Sequence, residues 1–114
     1  MLNGVLAGTS LKTAVLFLVF NRPEITSVVF EKIRQAKPPR IYIAGDGPRE
    51  GYESDKERVA QTRKIATKVD WPCEVKTLFR DKNLGCKKGV STAINWFFEY
   101  EEQGIILEDD CLPH

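Results

Sequence analysis

Glu108, Asp109 and Asp110 follow directly on the apolar run Ile105-Ile106-Leu107. Carboxylates this close repel one another, and one tends to take up a proton unless a cation lies between them. Hard divalent ions take oxygen ligands, and Mg²⁺ typically uses one or two carboxylates with phosphate and water completing its shell. The triplet therefore reads either as a site for Mn²⁺ or Mg²⁺ or as a solvated acidic turn after a strand. His114 could assist a metal held by Asp110.

Asp46 lies between Gly45 and Gly47. One reading is turn chemistry, in which the glycines permit positive φ and the carboxylate accepts local amides. The other is a carboxylate that reaches a ribose hydroxyl or a base N–H. The stretch 80–88, RDKNLGCKK, sets cations around Asn83 and Gly85 just ahead of a predicted helix. Helix N-termini attract phosphate through free N–H groups and the helix dipole. The stretch lacks Walker-loop spacing and reads equally as a surface basic cluster. Arg22 could likewise touch phosphate or be solvated. Cys73, Cys86 and Cys111 fit neither a zinc pattern nor a disulfide scaffold, and none has a paired base that would make it a nucleophile.

The elements that must position these groups follow from periodicity. Residues 13–20, TAVLFLVF, are continuously apolar, as in a strand covered on both faces. Asn21, Pro23 and Glu24 then suit a capped helix start. Ile25, Val28, Val29 and Ile33 recur at helical spacing, and Pro38-Pro39 ends the helix. A second strand is predicted at 40–44. A charged helix follows from Ser54, with Glu57 completing a capping box, to about Val69. A third strand spans 74–79, and a long helix runs from 86 to 103 with Trp96, Phe97 and Phe98 in the core. A fourth strand at 105–107 leads into the acids. This β-α-β-α-β-α-β order implies a Rossmann-like three-layer α/β/α domain with a mostly parallel sheet. Ligands of such sheets bind at the carboxyl ends of the strands, where Asn21, Arg22, Asp46, Arg80 and the acids all converge.

Composition sets outer bounds. The chain has 114 residues, 42% apolar and 29% charged, and a net charge of +1, so it reads as one domain with no field suited to nucleic acid. Its longest apolar run, 14–20, is too short to span a bilayer. No basic segment precedes an apolar one at the start, so a cytoplasmic, reducing location is expected. Residues 1–11 are expected to be peripheral or poorly ordered.

The ordered set Asn21-Arg22-Pro23, Gly45-Asp46-Gly47, Asn83-Leu84-Gly85 and Glu108-Asp109-Asp110, each placed after a strand, resembles the GT-A glycosyltransferases. The form of the acidic motif and of FNRP is most similar to the N-acetylglucosaminyltransferase I-like branch and to small proteins grouped with it as hemolytic-protein-like. The resemblance covers about residues 13–113. It implies a nucleotide-diphospho-sugar donor, a UDP-sugar in particular, and Mn²⁺ or Mg²⁺. It assigns Phe20, Asn21 and Arg22 to the base and ribose, Asp46 to the nucleoside, and Lys87 or Lys88 to the donor or its diphosphate. Asp110 matches the acid that binds the metal. Asp109 matches a contact to sugar or ribose hydroxyls or a metal-bound water, and Glu108 is a further metal candidate. The family's acceptor site and catalytic base follow the metal motif, so the chain is expected to hold the donor half, with open sheet edges that favour self-association. Two other readings remain open. One is a non-catalytic interaction module that keeps the fold. The other is a relative of the sugar nucleotidyltransferases, whose glycine-rich loop is similar to Leu6-Ala7-Gly8-Thr9 but carries a further Gly and Arg after the first strand.

Overall fold

The computed structural model describes residues 12–109. The expectations for residues 1–11 and those for Asp110, Cys111 and His114 lie outside the described residues. Strands β1 (Val15–Val19), β2 (Arg40–Gly45), β3 (Glu74–Phe79) and β4 (Ile105–Glu108) alternate with helices α1 (Pro23–Ala36), α2 (Glu53–Ala66) and α3 (Cys86–Phe98). The sheet is wholly parallel, in the order β3-β2-β1-β4.

The apolar run of β1 is continuous because both of its faces are covered. Val15, Phe17 and Val19 join Ile41 and Ile43 of β2 beneath Val29, Phe30 and Ile33 of α1 and Ala66 of α2. Leu16 and Leu18 join Tyr42 and Ala44 beneath Ala93 and Phe97 of α3. The domain therefore has three layers, with α1 and α2 on one face and α3 on the other. Full burial of side chains such as Phe17, Leu16 and Ile43 is worth about 1.5–3 kcal/mol each.

Connectivity places the site. The chain steps from β1 to β2 to β3 in one direction, and α3 then carries it back to the far side of β1. Strand order thus reverses at the β1–β4 border, where open parallel sheets form a crevice at the carboxyl ends. The outer edges of β3 and β4 pair with no strand among the described residues, and Val75 and Ile106 on them are exposed. Among the described residues no helix is long and apolar enough to cross a membrane.

Several helix ends differ from the sequence expectation. Arg22, not Asn21, is the N-cap of α1, and Pro23 fills the first turn. The Asn21 side chain instead donates to Asp55 at 3.0 Å. Helix α2 starts at Glu53 behind Tyr52, so Ser54 lies inside it and the capping box does not form. The first turn is closed by the Asp55 N–H donating to the Tyr52 carbonyl at 3.0 Å. Helix α2 also stops at Ala66 rather than Val69. Helix α3 ends at Phe98 rather than 103. The chain there turns to bring Glu101 onto Arg40 and Tyr42 of β2, at 2.8 and 2.6 Å. Phe97 is buried and Trp96 packs on Tyr42, but Phe98 is exposed because it points about 100° away from Phe97 around the helix.

Candidate functional site

The β1–β4 border forms one end of the site. Leu18 pairs with Glu108, and the Asp109 N–H continues the ladder by donating to the Leu18 carbonyl at 3.1 Å. This brings Asp109 under the β1–α1 turn. Its Oδ2 accepts the Phe20 N–H at 3.1 Å and the Thr26 hydroxyl at 3.3 Å, and the residue is only 2% exposed. Burial pushes its carboxyl up from the usual range, against the pull of the Phe20 amide, the Thr26 hydroxyl and the Arg22 charge. In this position Asp109 holds the turn that carries Phe20, Asn21 and Arg22. Glu108 is exposed at the mouth of the same crevice. Among the described residues no three His, Cys, Asp or Glu side chains gather in a metal-binding group.

A second knot ties the β1–α1 turn to α2. The buried Asp55 carboxylate receives Asn21 Nδ2 at 3.0 Å, and from Arg49 the backbone N–H at 3.0 Å, Nε at 2.8 Å and Nη2 at 3.0 Å. The Arg49 hydrogen bonds hold this carboxyl well below the usual carboxylate range despite its burial. The Arg49 guanidinium lies over the Tyr52 ring at 3.8 Å and over the Phe20 ring at 5.6 Å, a cation–π arrangement. Arg58 donates to the Asn21 carbonyl and to Glu24, both at 3.0 Å. Sequence reasoning did not single out Asp55, Arg49 or Arg58. The one available signal was an acid in the first turn of a helix, and such acids usually serve only the dipole.

The third part joins the end of β2 to the loop before α3. Asp46 Oδ1 accepts the N–H groups of Gly47 at 2.9 Å and Leu84 at 2.8 Å, and Oδ2 accepts that of Gly85 at 3.0 Å. Asn83 donates to the Gly47 carbonyl at 2.8 Å. Arg63 of α2 donates to the carbonyls of Asp46 at 3.1 Å and Arg80 at 2.7 Å. Gly45 and Gly47 have no positive φ; that conformation belongs to Gly51 and Gly85. Gly47 is required for a different reason. A Cβ there would lie 2.6 Å from the Lys82 carbonyl carbon and 2.7 Å from that of Asp81. Arg80 donates to Thr92 of α3 at 3.1 Å.

These three parts surround one cleft of about 1180 Å³. Its floor is apolar, from Leu18, Ala44, Leu78, Val90 and Ile94, and Arg22, Arg49, Arg58, Arg80, Lys87, Asp46, Glu108 and Asp109 line it as well. The predicted residues Phe20, Asn21, Arg22, Asp46, Lys87, Glu108 and Asp109 thus share one cavity. Lys88 is exposed and is not among the residues lining it. An apolar floor with a few convergent polar groups is the usual make-up of a small-molecule site, and cations outnumber acids on its walls. Compared with known proteins, the chain matches no family model, no curated protein and no solved structure.

Proposed function

We propose that this cleft is the donor site of a metal-dependent glycosyltransferase of GT-A type, and that its ligand is a nucleotide-diphospho-sugar, a UDP-sugar in particular. One observation carries the reading. A single cleft at the carboxyl ends of the parallel strands joins a basic wall, with Arg80 and Lys87, to an acidic end, with Glu108, across an apolar floor. A diphosphate between a base and a sugar needs that distribution of charge. The ordered motifs of the chain support the same ligand.

In this reading the nucleoside lies by Phe20 and Arg49, and the diphosphate lies against Arg80 and Lys87. Carboxylate oxygens suit a hard divalent ion, so Glu108 together with Asp110 would hold Mn²⁺ or Mg²⁺. When bound, such an ion neutralises the charge that grows on the departing diphosphate. Asp109 fits a ligand role less well, because its Oδ2 already holds the β1–α1 turn. Arg80 and Lys87 add to the stabilisation of the departing group through positions fixed before reaction.

Calorimetry with UDP and UDP-sugars is the direct test. Affinity is expected to fall by at least about tenfold, or ~1.4 kcal/mol, when Mn²⁺ and Mg²⁺ are chelated, and similarly in Asp110→Ala and Glu108→Ala. Metal-independent affinity, or no affinity for any nucleotide sugar, would sink the proposal.

A further inference from the structure

We infer that Asp46 is a positioning residue, and that it positions a diphosphate-binding wall made by Arg80 and Lys87. The inference rests on the donor-site reading and changes who does what within it. A carboxylate offers about four acceptor positions on its two oxygens. In Asp46 three main-chain N–H groups already converge on them, at 2.8–3.0 Å. At most one position, on Oδ2, is left for a base N–H or a ribose hydroxyl, and the loop amides and Gly47 hold the rest. Asp46 therefore acts on the loop, where it fixes Leu84 and Gly85 against the end of β2.

The clamped segment is bracketed by two cations that line the cleft. Arg80 precedes it at the end of β3, and Lys87 follows it in the first turn of α3. Arg63 donates to the carbonyls of both Asp46 and Arg80 and so ties the end of β2 to the end of β3. The two cations differ from their neighbours in how they are balanced. Arg49 is paired with Asp55 and Arg58 with Glu24. Among the described residues the Arg80 side chain donates to the neutral Thr92 hydroxyl, and no carboxylate lies within ion-pair distance of Arg80 or Lys87. Two cations on one wall with no counter-charge among the described residues suit an anion with two charged groups. The planar fork of Arg80 keeps N–H donors beyond the one engaged by Thr92, and a phosphoryl group can accept them.

The test is a chemical-shift titration with pyrophosphate, UDP and uridine in the absence of divalent ions. Arg80→Gln and Lys87→Gln change exposed or half-buried side chains and leave the core intact. Each is expected to weaken pyrophosphate and UDP by about tenfold or more, the loss of a charge-assisted bond, and to leave uridine unchanged. Asp46→Asn keeps the shape but replaces one acceptor oxygen with a donor. It is expected to weaken pyrophosphate and UDP alone, to speed hydrogen exchange at Leu84 and Gly85, and to add little further loss when combined with Arg80→Gln. Equal weakening of uridine and UDP by Asp46→Asn would mean that Asp46 touches the nucleoside, and the inference would fall. Unchanged UDP affinity in Arg80→Gln would remove the wall but leave the donor site standing. Pyrophosphate binding that depends on Arg80, with UDP binding no tighter, supports the wall and removes the nucleotide reading. A chain that binds none of the three overturns both.

Discussion

Gly47→Ala is expected to unseat the loop at 80–85 and to lower stability by about 2–3 kcal/mol, in the upper part of the range for overpacked sites. The new methyl would meet the Lys82 and Asp81 carbonyl carbons at 2.6 and 2.7 Å and the Asp81 carbonyl oxygen at 2.8 Å. All three are main-chain atoms, so no side-chain rotation can relieve the contact. Relief requires the loop to move away from β2. That movement strains the Asn83 bond to the Gly47 carbonyl and the Asp46 bonds to Leu84 and Gly85. Urea unfolding should therefore show a lower midpoint with an unchanged slope. If the loop carries the diphosphate wall, pyrophosphate affinity should fall in the same variant. A midpoint equal to the parent's would show that the loop gives way without cost, and that its docking on β2 is not a fixed part of the fold.

Asp55→Asn should cost a similar amount, about 2–3 kcal/mol at neutral pH. The buried carboxylate accepts four hydrogen bonds, three of them from Arg49. Breaking a fully buried pair would cost more, but the Arg49 side chain is 40% exposed and can recover water. The effect has a defined pH dependence. The folded-state carboxyl is held far below its ordinary value of 3.8. A lowered pKa contributes stability that is present above the unfolded value and is lost as pH falls through the folded one. The gap between parent and variant should be full at pH 7 and shrink progressively below about pH 4. Asp109 acts in the opposite sense. Burial raises its carboxyl, so its protonation on acidification favours the fold, and that contribution cancels when parent and variant are compared. Denaturant unfolding of both proteins between pH 7 and pH 2 measures the gap. A gap that stays constant across this range would show that the Asp55 charge plays no part.

The order and kind of every element were legible because they rest on local pattern. A run such as Val15–Val19 must be a strand covered on both faces, and Val29 and Ile33 mark the face that α1 turns toward the sheet. Helix ends were less legible. Asn21 is a good N-cap by type, yet its side chain has a stronger partner in Asp55. Ser54 and Glu57 had capping-box spacing, but Tyr52 closes the turn two residues earlier. The Asp46 motif showed where a carboxylate would stand and left its partner open. The amides of Leu84 and Gly85 lie far along the chain, and no local pattern links them to β2.

Taken alone, the sequence determined a parallel α/β sheet and brought Asn21, Arg22, Asp46, Arg80 and the acids to its carboxyl edge. Alternation of apolar runs and amphipathic stretches is enough for that, because parallel strands joined by helices present all their carboxyl ends on one side. Only the tertiary structure decided which of these groups are engaged by the protein's own main chain. All of Asp46, Asp109, Glu108, Arg80 and Lys87 line the cleft, but the Asp109 and Asp46 carboxylates are engaged by the protein's own N–H groups, where they hold the β1–α1 turn and the 80–85 loop. The physical reason is that a carboxylate stabilises whichever N–H groups the fold brings within about 3 Å, and such distances between remote residues exist only once the layers have packed.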